Sequence, residues 1–568
     1  MKITLQDNNS VLFLTGNILI TSIAMVLLLV SVCFFAGGNV AAWQFPTAFV
    51  LTAGMYFLIC KKQLIDNRSL IKAILISIAV IIISIIAALS LYDVTYDGQS
   101  YHQEGIYQLK NGWNSFRVLL PKSVNMAIYI NHYGKGVEIP QSTLYALTHQ
   151  IESAKATNFI LFSAVFCLTL SLLLGLNKIT PFKCILSALL ATCNPIIINQ
   201  LISTYVDGQL ALMIQSFFIT AIWLIAGSGY TSLLLLASVI VIGANVKFTG
   251  VVYIVIFSIS FLAWLLFNKK IELFKNVLYT SLFSGVVAIL LAGYNPYVVN
   301  MVKFSHPFYP LMGKQKVDIV GYNLPNGFEQ KNGMNKLFTS LFAHTDNQIS
   351  NKQKTVDLKL PFAINKTDIL NASKVDTRIA GFGPFFSGIL LLSAVLLCLL
   401  LAQPGKFILI KNMLYLAAAI VVAVLIMPES WWARYIPQTW YLPIIVILAA
   451  ELYAANKFQV LKLFLYLFLI VNVSLCLIGF GWNMMMTALV NHQITKLKAS
   501  HQIITVQFGD LKANRFRLEE NHIPYQERNL DGLPDVENFI RSDSKFIIPA
   551  NVASFPESKF LKWAEQFK

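Results

Sequence analysis

Apolar runs of around twenty residues recur along most of this chain, and a helix of that length is what crosses the hydrocarbon of a bilayer. With 56% of its 568 residues hydrophobic and 12% charged, the chain reads as an all-α polytopic membrane protein. The spacing predicts about thirteen transmembrane helices, near 11–36, 41–60, 70–92, 158–177, 184–203, 209–227, 232–246, 250–268, 277–294, 384–402, 413–427, 438–455 and 463–488. The first run, Val11 to Ala36, is too long for a cleaved signal segment and is expected to remain as an anchor. The seven cysteines lie within or beside apolar runs, so neither a disulfide framework nor a thiolate metal site is implied.

The net charge of +16 comes mostly from basic residues in short loops, where they orient helices; no nucleic-acid partner is expected. Placing the N-terminus inside puts Lys61, Lys62, Arg68, Lys178, Lys183, Lys269, Lys270, Lys275, Lys406, Lys411, Lys457 and Lys462 on the cytoplasmic side. The same parity puts two long loops, about 93–157 and 295–383, and the segment after about residue 489 on the outer side. The chain thus divides into a membrane domain, 1–488, and a small C-terminal extramembrane α/β module, 489–568. The pair of spans around Asn245 to Gly250 decides the parity of everything after it, because the run from Leu233 to Ala244 is short.

The unusual chemistry is concentrated in LYDVTYDGQSYHQEGIYQLKNGWNSF, from Leu91 to Phe116. Asp97, Tyr101, Glu104 and Gln108 recur at helical spacing, which predicts a short helix at the membrane surface with Asp97 at its start, facing a cavity. Other ionisable residues fall in outer turns: Asp207 in STYVDGQ, Lys247 in ANVKFTG, Asp376 and Arg378 in DTRIAGFG, and Glu429 and Arg434 in MPESWWARYIP. Each has an ordinary explanation, such as helix capping by Asp207, snorkelling by Lys247 and Arg434, or an interfacial belt at Trp431 and Trp432. Together, acids and bases on one side of a membrane suit an anionic, lipid-borne substrate.

The loop after span nine, with Tyr294, Asn295, Tyr297, His306, Phe308 and Tyr309, offers aromatic and amide groups suited to sugar rings or to packing on the helix tops. Lys135 and Glu138 in the first loop receive no catalytic role. No nucleotide-binding loop, H-E-x-x-H, Cys-x-x-Cys or G-x-S-x-G occurs in the chain, which disfavours an ATP-driven pump.

Taken together, Asp97 after span three, Asp207 in the YVDG turn, VKFTG at Lys247, HPFYPL from His306 to Leu311 and WWARYIP at Arg434 resemble the bacterial integral-membrane glycosyltransferases of the GT-C type, over about residues 70 to 445. That resemblance implies a multi-pass protein of the bacterial cytoplasmic membrane with an outward-facing active site. It also implies a sugar donor carried on polyprenyl phosphate, and a glycan, lipid or protein acceptor. In such a site Asp97 is the expected general base, with Asp207, His102, Glu104 and Tyr101 supporting the acceptor. Arg434, Lys247 and Arg378 are expected on the donor phosphate, whose charge grows as the bond to the sugar breaks. Asp97 and Asp207 are also the candidate ligands for Mg²⁺ or Mn²⁺. A single displacement would invert the anomeric carbon. The rival readings are a lipid-linked saccharide polymerase or ligase and, behind it, a flippase or transporter, which is expected to carry charges in mid-span.

Overall fold

The computed structural model describes residues 7–347, 355–552 and 554–567. Part of the predicted outer loop, 348–354, lies outside the described residues. The chain is mostly helical, and among the described residues nine helices are long and apolar enough to cross a membrane. The expected count of thirteen is therefore not met. The four remaining predicted spans fall on helices that are shorter or less apolar, each for a local reason. Gln44–Lys62 is interrupted by Thr47, Thr52 and Tyr56 and ends in two lysines. The run near 184–203 breaks at Asn194–Pro195 into Pro181–Thr192 and Pro195–Gln200, because a proline cannot donate to the preceding turn. Phe386–Leu401 begins only after Pro384, and Tyr441–Tyr453 only after a 3₁₀ turn that starts at Pro437.

Asp7–Phe35, Ala156–Gly175, Asp207–Ala226 and Gly229–Val246 form the inner bundle, with their apolar residues mostly buried. The outer helices Asn67–Leu89, the run Ile271–Ala292, Lys406–Ile426 and Gln459–Ala499 leave most of theirs exposed, as lipid-facing helices do. The decisive pair near Asn245 is resolved as two helices, Gly229–Val246 and Phe248–Phe267, joined by the single extended residue Lys247. So tight a reversal needs Gly250, where any side chain would run into the carbonyl of Gly243.

The first loop is a folded layer rather than a helix lying on lipid. Gly98–His102 is a π-turn that leads into the helix Gln103–Lys110, followed by Ala127–His132, Glu138–Thr148 and the 3₁₀ turn Ile151–Lys155. Glu104 and Ile106 are buried under the C-terminal module, whereas Leu109 packs into the core of the bundle and Gln103 faces Glu152.

That module follows directly on the helix Gln459–Ala499, which runs through the expected boundary at 488. Its strands β1 (Ile504–Gln507), β2 (Tyr525–Glu527), β3 (Val536–Asn538) and β4 (Lys545–Ile547) form one sheet in the order β2-β1-β4-β3. β1 and β2 are parallel and joined through the helix Asn514–Glu520, while the other pairs are antiparallel. The connecting helix docks on the first loop. Phe516 stacks on Tyr107 at 4.4 Å, Arg515 Nη2 meets Glu104 Oε2 at 3.0 Å, and buried Arg517 donates to the Asp93 carbonyl at 2.6 Å. The loops and the module therefore share one end of the bundle.

Candidate active site

Five short segments bring ionisable groups to that end. The turn Ala433–Tyr435 is held against the strip Asp376–Ile379 by two backbone bonds, Ala433 N–H to the Arg378 carbonyl and Arg434 N–H to the Thr377 carbonyl, both 3.1 Å. Asp207 opens its helix, where the backbone dipole favours a carboxylate, and Gln200 Nε2 donates to its Oδ2 at 3.1 Å. Lys247, at the break between two helices, ion-pairs with Asp207 Oδ1 and lies 4.2 Å over the Tyr435 ring. Asp97 stands just before the π-turn, its N–H donating to Tyr205 Oη at 3.3 Å.

Arg434 sits at the centre. Its Nη1 is 3.4 Å from Asp97 Oδ2 and 3.7 Å from Asp207 Oδ2, and its Nε is 3.4 Å from Asp376 Oδ1. The guanidinium packs over Trp432 at 4.6 Å and Tyr205 at 5.6 Å. All three ionic contacts exceed the roughly 2.7–2.9 Å of a committed charge-assisted hydrogen bond, so the fork is shared among carboxylates rather than locked to one. Burial disfavours its charge, but Asp376 and Asp207 outweigh that and hold it firmly protonated.

Arg378 differs. Its Nε at 2.8 Å and Nη2 at 2.7 Å both meet Asp376 Oδ2, so it braces that carboxylate with two of its five N–H donors. Asp97, by contrast, is the most accessible carboxylate, with 19% of its side chain exposed against 4% for Asp207 and for Asp376. Burial raises its carboxyl above the ordinary value despite the opposing pull of Arg434, which makes it a better proton acceptor.

Of the expected acceptor-side residues, Glu104 is turned to the C-terminal module, while His102 stays beside Tyr101 and Tyr205 with its Nδ1 turned to Glu138. Glu104 is committed to Arg515 and accepts from Gln108 at 2.7 Å. His102 Nδ1 pairs with Glu138 Oε1 at 3.2 Å, and Lys135 meets the other oxygen of Glu138 at 3.2 Å. Burial alone would raise the Glu138 carboxyl, but Lys135 and His102 hold it below its usual range. The position of Glu104 follows from the π-turn. An i→i+5 bond from Gln103 N–H to the Gly98 carbonyl puts an extra residue into the first turn and rotates Glu104 away from the Asp97 face. Tyr101 remains beside Asp97, its ring 4.2 Å from His102 and 5.7 Å from Tyr129.

No family model, curated protein or solved structure matches this chain.

Three carboxylates (Asp97, Asp207, Asp376) thus face three cations (Lys247, Arg378, Arg434), and the cluster is charge-balanced as it stands. The oxygens of Asp97 and Asp207, the candidate ligands for Mg²⁺ or Mn²⁺, are turned here to Arg434 and Lys247. Among the described residues no group of three His, Cys, Asp or Glu side chains is placed to hold an ion. Tyr205 and Tyr435 were not assigned to the site from sequence, although each lies within two residues of one that was, and Asp376 was grouped with the outer-face charges without a role of its own.

Proposed function

We propose that this protein transfers a sugar from a polyprenyl-phosphate-linked donor to an acceptor at the outer face of the bacterial cytoplasmic membrane. The observation that carries the reading is the uncommitted Arg434 guanidinium between an accessible carboxylate, Asp97, and a second cation, Lys247. An acceptor hydroxyl bonded to Asp97 loses its proton to that carboxylate as its oxygen attacks the anomeric carbon. The bond from that carbon to the phosphate oxygen breaks, and its electron pair stays with the phosphate. Arg434 and Lys247 neutralise the charge that develops there, so no acid is needed on the leaving group. Attack opposite the leaving group inverts the anomeric carbon.

For the anionic donor to enter, Arg434 must exchange part of its carboxylate contacts for phosphate, which their length makes easy. Asp376, fixed by Arg378 and by Trp432 Nε1 at 3.3 Å, keeps the guanidinium in place during that exchange. Mass spectrometry of lipid-linked and surface glycans from a deletion strain, restored with wild type or with Asp97→Asn, tests the reading. A glycan missing one sugar in the deletion, restored only by wild type, supports it; identical glycans in all strains would refute it.

A further inference from the structure

Beside the Arg434 cluster the large loop encloses a separate cavity of about 240 Å³. Buried Thr345, Arg378 and Trp431 form its floor, His344 stands in its wall, and exposed Asp357 and Asn365 stand at its mouth. The wall is rigidly built. Asp368 accepts from Thr345 N–H at 2.6 Å and from Asn365 N–H at 3.0 Å, and pairs with His344 Nδ1 at 2.9 Å. Asn347 Oδ1 accepts from Arg378 N–H at 2.7 Å, and Asp346 exchanges backbone bonds with Ile379.

One polar group in this frame is left over: the Thr345 hydroxyl is buried and has no hydrogen-bond partner. A buried hydroxyl in that condition costs stability unless a ligand or water completes it. The lining does not favour an anion, since the charge of Arg378 is matched by Asp376 and that of His344 by Asp368, while Asp346 and Asp357 add negative charge. What remains is hydroxyl, amide and carboxylate, which is the chemistry that binds a neutral polyol. A carboxylate such as Asp357 accepts from two neighbouring hydroxyls at once, and Thr345 and Asn365 both donate and accept. The volume falls below the roughly 300–1,000 Å³ of pockets that enclose drug-sized ligands, and so suits one ring rather than several.

We infer that this cavity binds a single pyranose ring of a glycan acceptor, and that this ring is not the one that reacts. Arg378 closes the floor, Asp376 lies 2.7 Å behind it, and Arg434 and then Asp97 lie beyond, at 3.4 Å for each contact. A whole ion pair separates the cavity from the reacting carboxylate, so the hydroxyl presented to Asp97 belongs to another sugar of the same chain. The acceptor is therefore an oligosaccharide, held at one ring and reacting at another. Its role as acceptor rests on the glycosyl-transfer reading; the binding of the ring does not.

Saturation-transfer NMR on the detergent-solubilised full-length protein tests this directly, with chitotriose, mannotriose, maltotriose and galactotriose as probes. At least one should receive saturation from wild type. Its Kd should rise by about ten-fold in Thr345→Val and in Asp357→Asn. The first substitution keeps the shape of a buried side chain and the second alters only an exposed rim, and gel filtration checks that both remain folded. No saturation of any of the four probes, or an unchanged Kd in both variants, would overturn the inference. Asp97→Asn should leave probe binding intact, and a loss there would move the ring to the Arg434 cluster and overturn it as well. Binding that behaves as expected in a protein whose deletion alters no glycan would keep the cavity and retire the transferase reading.

Discussion

Arg434 Nη1 and Asp97 Oδ2 meet at 3.4 Å across 337 residues of chain, joining the first folded loop to the turn before the helix Tyr441–Tyr453. The contact is long, and Asp97 is the more exposed partner, with 19% of its side chain exposed against 13% for Arg434. A pair kept for stability would be shorter and more enclosed, as Arg378 and Asp376 are. The looseness is what a base needs if it is to be released to a substrate.

Asp97→Asn keeps the shape and removes the proton acceptor. Transfer measured with purified protein should fall by roughly 10²-fold or more, with donor binding largely retained. Full activity in a normally inserted Asp97→Asn protein would show that another group is the base.

Arg434→Lys keeps the charge but loses the planar fork that spans Asp97, Asp207 and Asp376. Donor affinity, read by titrating a short-chain polyprenyl-phosphate sugar, should weaken clearly. Arg378→Lys should instead lower thermal stability, because it breaks a buried two-donor contact to Asp376 Oδ2, and leave donor affinity much closer to wild type. Equal loss of affinity in both would mean that Arg378 reaches the donor after all.

Asp93, four residues before Asp97, is a brace. Its Oδ1 accepts from Thr95 N–H at 3.0 Å and from Thr95 Oγ1 at 2.5 Å, and its Oδ2 accepts from Thr204 N–H and Thr204 Oγ1, both at 2.7 Å. Asn turns a donor toward two of those donors, so Asp93→Asn should destabilise the fold by roughly 1–3 kcal/mol. Activity per folded molecule should change little, and thermal unfolding in detergent separates the two effects.

The membrane class and the existence of helices at every apolar run were legible because hydrophobic length is a direct physical requirement of the bilayer. The number of long spans was less so, because Pro195 breaks a run that hydropathy alone joins and a 3₁₀ turn takes the first residues of the run before the helix Tyr441–Tyr453. Asp97, Asp207, Lys247 and Arg434 were legible as charges that interrupt apolar sequence, and the fold brings them together. Glu104 was misplaced because helical periodicity assumes an α-turn where Gly98–His102 forms a π-turn. Its partner Arg515 lies 411 residues away, beyond any local pattern.

Reporter fusions at Asn131, Asn332 and Asn521 should all report the outer side, given the bias of basic residues toward the other loops. Contacts of the module with the first loop, such as Asn125 Nδ2 to the Asp510 carbonyl at 2.6 Å, require Asn131 and Asn521 to agree. Three cytoplasmic signals would invert the orientation but keep the fold, whereas disagreement between Asn131 and Asn521 would contradict the fold itself.

The docking of the C-terminal module should depend on pH through Glu520. Its Oε1 accepts from Ile151 N–H at 2.8 Å, tying the helix Asn514–Glu520 to the first loop. Burial pushes its carboxyl up to about 7, and the nearby charge of Glu152 pushes the same way, while the Ile151 N–H, Tyr145 and Arg517 oppose. Because the docked carboxyl titrates above its ordinary value of about 4.5, the docked state binds the proton more tightly than the undocked one. The Glu520 contribution to docking is therefore complete below about 4.5 and is lost as pH rises through about 7. Hydrogen exchange at residues 504–527, measured between pH 5 and 8 and corrected for intrinsic rates, should report weaker protection at the alkaline end. Glu520→Gln, which imitates the protonated carboxyl, should flatten that dependence and keep protection high at pH 8. An unchanged slope in Glu520→Gln would assign the pH dependence to another group.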